Sequence, residues 1–300
     1  MRNFTGRVAV ITGAASGFGK AFAEKAATLG MKLVLADIQI EALEATVAEL
    51  RARGATVIGL PTDVSQAEQI QTLADAALAA FGAVHLMFNN AGVLAGGLVW
   101  ENSEKDWDWV IGVNVRSVIH GVRIFTPLML AAAERDPDYE GHIINTASMA
   151  GLLNAPTLGA YNLTKQAVVS LSETLYHDLA LVSEHVHCSV LCPFFVATGI
   201  SLSARHRPDE LANASAPTRS QAMAQAQNQK ATGAAKVSAE QIAELTFEAI
   251  SNRQFYIYSH PQAMHSVRER FEAIVEQRNP PDPYAGKPEL RTQLVESLRT

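Results

Sequence analysis

The sequence predicts an α/β fold: a doubly wound parallel sheet flanked by helices on both faces, in a single domain with a C-terminal extension. Three observations carry that expectation. Short apolar runs alternate with longer helix-favouring stretches from residue 7 to about residue 260, the mark of repeated βαβ units. The runs are apolar at consecutive positions, as in Val8-Ala9-Val10-Ile11, which suits strands buried on both faces. The first run also passes through a glycine-rich turn straight into a helix.

In chain order, strands are expected at 7–12, 32–36, 56–60, 85–88, 142–147, 187–191 and 255–258. Helices are expected at 20–29, 40–53, 66–81, 104–133, 159–183 and 239–251, with a further amphipathic helix at 265–278. Two segments break the rhythm. Residues 211–237 are rich in Ala, Gln, Ser and Asn; they read as part of a lid, about 199–237, with helical pieces, the alternative being a plain surface excursion. The tail opens Pro280-Pro281-Asp282-Pro283, which cannot be a regular helix. It is expected to wrap the surface or a neighbouring subunit. The expected division is a domain over 1–279 and an extension over 280–300.

The first turn reads as a phosphate cradle. It runs Gly13-Ala14-Ala15-Ser16-Gly17-Phe18-Gly19 between strand and helix. Glycines let the backbone approach a pyrophosphate, and a helix N-terminus offers unpaired N–H groups and the positive end of a dipole. The spacing Gly-x-x-x-Gly-x-Gly departs from the commoner dinucleotide fingerprint, and alone it fits an ordinary tight turn. Asp37, at the end of the second apolar run and 18 residues after Gly19, favours the nucleotide reading. A carboxylate there accepts hydrogen bonds from an adenosine ribose.

Downstream, Tyr161 and Lys165 are four residues apart on an expected helix, and Ser148 follows the strand at 142–147. Residues i and i+4 share a helix face. An ammonium beside a phenol favours the phenolate and lowers a pKa of about 10. Ser148 could hydrogen-bond an oxygen that the tyrosine protonates or deprotonates. The bland alternative is a surface Tyr/Lys pair and a strand-end serine.

Over residues 5–260 the chain resembles the short-chain dehydrogenases/reductases, in their compact single-domain, Rossmann-type branch. Thr12-Gly13-x-x-x-Gly17-x-Gly19 resembles the cofactor loop, Asp63-Val64 the adenine-contacting pair, and Asn89-Asn90-Ala91-Gly92 the strand-four signature. Asn114, Ser148, Tyr161 and Lys165 resemble the catalytic tetrad. In Pro193-Phe194-Phe195-Val196-Ala197-Thr198 the Pro, Val and Thr hold their places, but Phe194 stands where the family usually has glycine.

The resemblance implies hydride transfer between a nicotinamide cofactor and a secondary alcohol or ketone. Tyr161 would be the acid-base and Ser148 would hold the substrate oxygen. Lys165 would bind the nicotinamide ribose and lower the tyrosine pKa, and Asn114 would hold a water joining Lys165 to solvent. Gly13, Ser16, Gly17, Phe18, Gly19, Asp37, Asp63, Val64, Asn90, Ala91, Gly92, Pro193, Val196 and Thr198 are the further expected cofactor contacts. The cofactor is expected to be NAD rather than NADP, since Asp37 would repel a 2′-phosphate and neither Ile38 nor Ser16 supplies a cation. Leu94, Leu152, Leu153, Leu158, Phe194 and Phe195 are the expected substrate pocket, all apolar, which points to a neutral hydrophobic or aromatic small-molecule substrate. The alternatives are an NADPH-dependent carbonyl reductase and, further off, a dinucleotide-sensing regulator without turnover.

Composition narrows the partners. Three hundred residues, 48% of them hydrophobic, can bury a large core as one domain. A net charge of −6 offers no attraction to nucleic acid. No apolar run reaches the roughly eighteen residues of a membrane helix, and the chain enters its first strand almost at once. A cytoplasmic location without membrane contact is therefore expected. Cys188 and Cys192 share one expected strand, roughly 13 Å apart and too far for a disulfide. His185 and His187 read as strand-start surface residues, and no metal is expected. Residues 107–130 are apolar round most of a helix, and such a helix is buried on nearly all sides. The resemblance implies a homodimer at least, and a tetramer by preference. The rival cover for that face is the C-terminal extension.

Overall fold

The structure, a computed structural model, describes residues 1–299. Seven parallel strands form one sheet in the order β3-β2-β1-β4-β5-β6-β7. They are β1 Val8–Thr12, β2 Lys32–Asp37, β3 Val57–Pro61, β4 Leu86–Asn89, β5 Gly141–Thr146, β6 Val186–Cys192 and β7 Tyr256–Tyr258. The chain winds outward from β1 in one direction, then restarts at β4 in the other. The strand order therefore reverses between β1 and β4, where a crevice opens beyond the carboxyl ends of the strands.

Neighbouring residues of each central strand point to opposite faces, and each face has its own core. Ile11, Leu33, Leu35, Phe88 and Ile144 pack under α1 Gly17–Thr28, α2 Ile40–Ala52 and α8 Ala239–Ser251. Val10, Val34, Met87 and Ile143 pack under α3 Ala67–Phe81, α5 Ser117–Arg135 and α6 Gly159–Val182. Three layers result, and the doubly wound parallel sheet expected from the sequence is the observed one.

Four expectations need correction. The stretch 104–133 is not one regular helix. It is α4 Glu104–Ile111, a π-helical turn Gly112–Arg116, then α5. By length and composition the whole stretch Glu104–Arg135 could cross a membrane, contrary to the reading that no run suffices. Here it carries Arg116 and Arg123 and packs against α3, β4 and β5 as a layer of the sheet. The tail is not helical at Pro280–Pro283 but becomes α10 Pro288–Arg299, which was not expected. His187 is not a surface residue either. It is half-buried, its ring centre 6.2 Å from that of fully buried His142 on the neighbouring strand.

The lid consists of short 3-10 turns at Gly199–His206 and Asp209–Leu211 followed by α7 Arg219–Gly233. It is fastened to α4. Arg207 reaches buried Asp106 at 2.5 Å, and Asn213 donates to the same carboxylate oxygen at 2.9 Å. Glu101 accepts from Thr218 and Ser220 at 2.5 and 2.6 Å. After β7 comes α9 Met264–Val275, which leads into the tail.

Candidate active site

The crevice begins with a knot of backbone contacts at the end of β1. Thr12 donates its hydroxyl to the Phe88 carbonyl at 3.0 Å and accepts from the Asn90 and Ala91 N–H groups at 2.9 and 3.1 Å. Asn90 returns a side-chain N–H to the Thr12 carbonyl at 2.9 Å. Asn90 thus braces the β1 and β4 ends while it lines the crevice. Gly13 sits at φ +65°, and a Cβ there would stand 2.9 Å from the Ala91 Cα. Only glycine allows both that φ and that approach.

Asp37 closes the cradle's far side. One carboxylate oxygen accepts from the Ala15 N–H at 2.9 Å, the other from the Gln39 N–H at 3.0 Å. The glycine loop and the carboxylate are therefore fixed relative to each other before any ligand arrives. Ser16, Gly17, Phe18, Asp63, Val64, Ala91, Gly92, Pro193, Val196 and Thr198 also line the crevice. Gly19 does not. It lies beneath the loop, where a Cβ would fall 2.0 Å from the Gly13 carbonyl oxygen. It serves the close packing of α1 on the turn.

Ser148, Tyr161 and Lys165 open onto the same crevice. Ser148 leaves β5 in extended conformation and caps the next turn by accepting from the Ala150 N–H at 3.1 Å. Lys165 donates to the Thr146 carbonyl at 2.8 Å and stands 5.7 Å from the centre of the Tyr161 ring. Both are buried. Burial pushes the Tyr161 phenol up to about 12, with a hydrogen bond from Ser148 pulling the other way. Burial also lowers the Lys165 ammonium to about 8. Among the protein's own groups, burial therefore opposes the lowering of the phenol that the resemblance implies. Burial disfavours the charged form of each group.

Asn114 lies in the π-helical turn and is wholly buried. Its amide donates to the Val93 carbonyl at 2.9 Å and the Thr164 hydroxyl at 3.1 Å, and its oxygen accepts from the Val93 N–H at 2.8 Å. Both amide hydrogens are spent on protein, so the side chain ties the strand-four loop to the Tyr/Lys helix. Asn114 does not itself line the crevice.

The crevice widens into a cavity of about 1660 Å³, larger than a typical small-ligand pocket. Leu94, Leu153, Leu158, Phe194 and Phe195 line its inner part. Leu152 does not: it turns into the core beside Val168 and Val190. Leu153 packs on the same core cluster but also reaches the cavity, and the pattern of leucines could not separate them. Three lining residues carried no sequence signal. Arg270 on α9 looks like any charge on an amphipathic helix, and Tyr284 and Lys287 sit in the aperiodic tail. The tail and the lid together form the outer wall.

Comparison with known proteins agrees with this geometry. Residues 7–209 match the family model described as short chain dehydrogenase. A crystal structure of a short-chain dehydrogenase/reductase from Burkholderia phymatum in complex with NAD is 59% identical, with a TM-score of 0.92, covering 94% of this chain and 99% of that one. A CLA biosynthesis dehydrogenase/reductase of Lactiplantibacillus plantarum is 32% identical over 92% of this chain and 95% of that protein. A 1-deoxy-11-beta-hydroxypentalenate dehydrogenase of Streptomyces exfoliatus is 33% identical over 89% of this chain and 88% of that protein.

Proposed function

This chain belongs to the short-chain dehydrogenase family, and we propose that it is an NAD-dependent oxidoreductase acting on a hydrophobic or aromatic secondary alcohol or its ketone. The observation that carries this reading is one crevice holding Ser148, Tyr161 and Lys165 at one end and the Gly13–Asp37 cradle at the other. The residues suit a dinucleotide. Gly13 and Gly17 line the crevice at the loop, α1 presents its N-terminus there, and Asp37 is held where a ribose diol would donate to it. The bound nicotinamide would supply the hydride acceptor or donor.

The chain's own residues supply binding and proton chemistry. Ser148 orients the substrate oxygen toward the Tyr161 phenol. Tyr161 gives up its proton to that oxygen in reduction and takes one in oxidation. Lys165, held by the Thr146 carbonyl, keeps a cation behind the phenol and supports the phenolate when it forms. Leu94, Leu153, Leu158, Phe194 and Phe195 exclude water around the carbinol carbon. A dehydrogenase named for a hydroxy compound among the relatives supports an alcohol substrate.

The test is a panel of secondary alcohols with NAD⁺, and of ketones with NADH, followed at the NADH absorbance band. Turnover is expected with at least one bulky apolar member and little with short-chain alcohols. A purified protein that binds NADH yet turns over no member in either direction would refute the enzyme reading and favour a sensor of cofactor redox state.

A further inference from the structure

The outer wall of the cavity comes from α9 and the C-terminal extension, and two of its cations have no ion-pair partner. Asp282 is paired with Arg291 at 3.3 Å and Arg278 with Glu276 at 2.5 Å, while exposed Glu269 lies 3.3 Å from His265, which offsets it only when protonated. The lid adds Arg205, Lys230 and Glu210 to the lining. Two cations of this wall are left over. Arg270 is half-buried and donates only to neutral oxygens, the Leu152 carbonyl at 3.1 Å and the Gln166 amide at 3.4 Å. Lys287, on the tail, meets no acid within salt-bridge distance among the described residues. A guanidinium partly withdrawn from water and without an ion-pair partner of its own favours an anion there, and its planar fork suits a carboxylate.

Apolar residues line the same cavity as this wall and the tyrosine. Phe194 and Phe195 pack with ring centres 4.7 Å apart, and Tyr284 of the tail lines the same space. From this arrangement, and resting on the dehydrogenase reading above, we propose that the substrate is an amphiphilic acid. Its alcohol or ketone meets Ser148 and Tyr161, an apolar or aromatic body fills the middle, and a carboxylate at the far end is held by Arg270 and Lys287. The C-terminal extension is then part of the specificity machinery, and the expectation of a neutral substrate gives way. That expectation followed from the pocket-lining segments nearest the tyrosine, none of which carries Arg or Lys; the cations arrive from a helix and a tail more than a hundred residues downstream.

The test compares acids with their own esters. Dissociation constants of levulinate, para-acetylbenzoate and a mid-chain oxo-stearate, each beside its methyl ester, are measured by calorimetry on the full-length, NADH-loaded enzyme. At least one acid is expected to bind roughly tenfold or more tightly than its ester, the worth of one charge-assisted contact. Arg270→Gln and Lys287→Gln are each expected to remove most of that preference while leaving the ester's constant within about twofold. Arg270→Lys should retain part of it. Lys287 is on the exposed tail, so its variant stands even if Arg270→Gln folds poorly. Esters that bind as well as acids in all three pairs, a preference that survives both variants, or no binding by any probe would each overturn the proposal. Turnover of the esters with NADH decides the dehydrogenase reading separately.

Discussion

Lys165 and Tyr161 lie one helical turn apart, with Nζ 5.7 Å from the phenol ring centre, and burial moves their pKa values in opposite directions. The phenol rises to about 12 and the ammonium falls to about 8. Left to the protein alone, Tyr161 is a well-placed acid and a poor base. Oxidised nicotinamide, when bound in the crevice, would supply a positive charge that favours the phenolate.

Tyr161→Phe removes the only phenolic proton at the reacting oxygen. Turnover should fall by about a thousandfold or more, while the NADH dissociation constant stays within about twofold. Lys165→Ala should weaken cofactor binding and turnover together, since one ammonium serves both. Stopped-flow rates and NADH fluorescence titration separate the two effects. A Tyr161→Phe enzyme with near-normal kcat would end the assignment.

The two directions should differ in pH dependence. A phenol with a pKa of about 12 is protonated across the neutral range, ready to donate in reduction. Oxidation needs the phenolate, so its kcat/KM should climb from about pH 7 toward about pH 9.5. Reduction should be flat and then decline above about 8, as Lys165 loses its charge and the cofactor loses a cationic contact. Initial rates over that range in both directions test this, and an oxidation profile without slope would contradict it.

Asp37 should make the enzyme prefer NAD(H) over NADP(H). Its carboxylate is buried, braced by Ala15 and Gln39, and cannot swing away from a 2′-phosphate. Ile38 and Ser16 line the crevice beside it without charge. A kcat/KM ratio of roughly a hundred or more in favour of NAD is expected. Asp37→Ala should shrink the ratio from both sides. It removes the repulsion, and it also frees the Ala15 N–H that holds the glycine loop in place. A wild-type preference for NADPH would refute this role for Asp37.

Much of this site was legible because its parts are local. The glycine loop, the Asp37 strand end and the Tyr161–Lys165 pair each fit within one turn or one strand, and side-chain periodicity fixes their directions. What escaped was long-range. Leu152 and Leu153 look alike in sequence, and only the packing of the turn against α6 sends one inward. The π-helical turn around Asn114 depends on hydrogen bonds to Val93 and Thr164, which no helical pattern encodes. The tail's path over the cavity is set by contacts beyond the Pro-rich break, where periodicity gives no guide.

Acid should destabilise the fold before its carboxylates titrate. His85, His142 and His187 run in a row across the amino-terminal edge of the sheet, with the His142 N–H donating to the His85 carbonyl and His142 registered against His187. Burial lowers His85 and His187 to about 4 and His142 well below its ordinary value. The folded state therefore binds fewer protons than the unfolded one between about 6.5 and about 4. Their stabilisation is complete above about 6.5 and is lost as pH falls through that window, on the order of 2 kcal/mol for His85 and less for half-exposed His187. Paired carboxylates lose theirs lower, below their unfolded pKa near 4. The melting temperature should thus fall steeply from about pH 7 to about pH 5, and less steeply in His187→Phe. An unchanged slope in that variant would remove His187 from the account.

The last prediction concerns what covers the outer face of α5. Ile119 is 40% exposed, and Val115, Val122, Leu128 and Leu130 are only half-covered. On α6, Leu163 and Tyr176 are also exposed, at 49% and 45%. The rival cover, the C-terminal extension, goes elsewhere: residues 280–287 and Leu290 line the cavity at the other edge of the fold. A single chain would thus leave apolar faces of two helices in water at roughly 25 cal/mol per Å². Self-association through α5 and α6 removes that cost and stiffens the helix that carries Tyr161 and Lys165. We expect a homodimer at least, and a tetramer by preference, at micromolar concentration. Ile119→Glu together with Tyr176→Glu should shift the mass toward the monomer and lower kcat, because α6 loses its support. Light scattering coupled to size exclusion decides the matter, and a monodisperse wild-type monomer would return α5 to the role of an ordinary exposed helix.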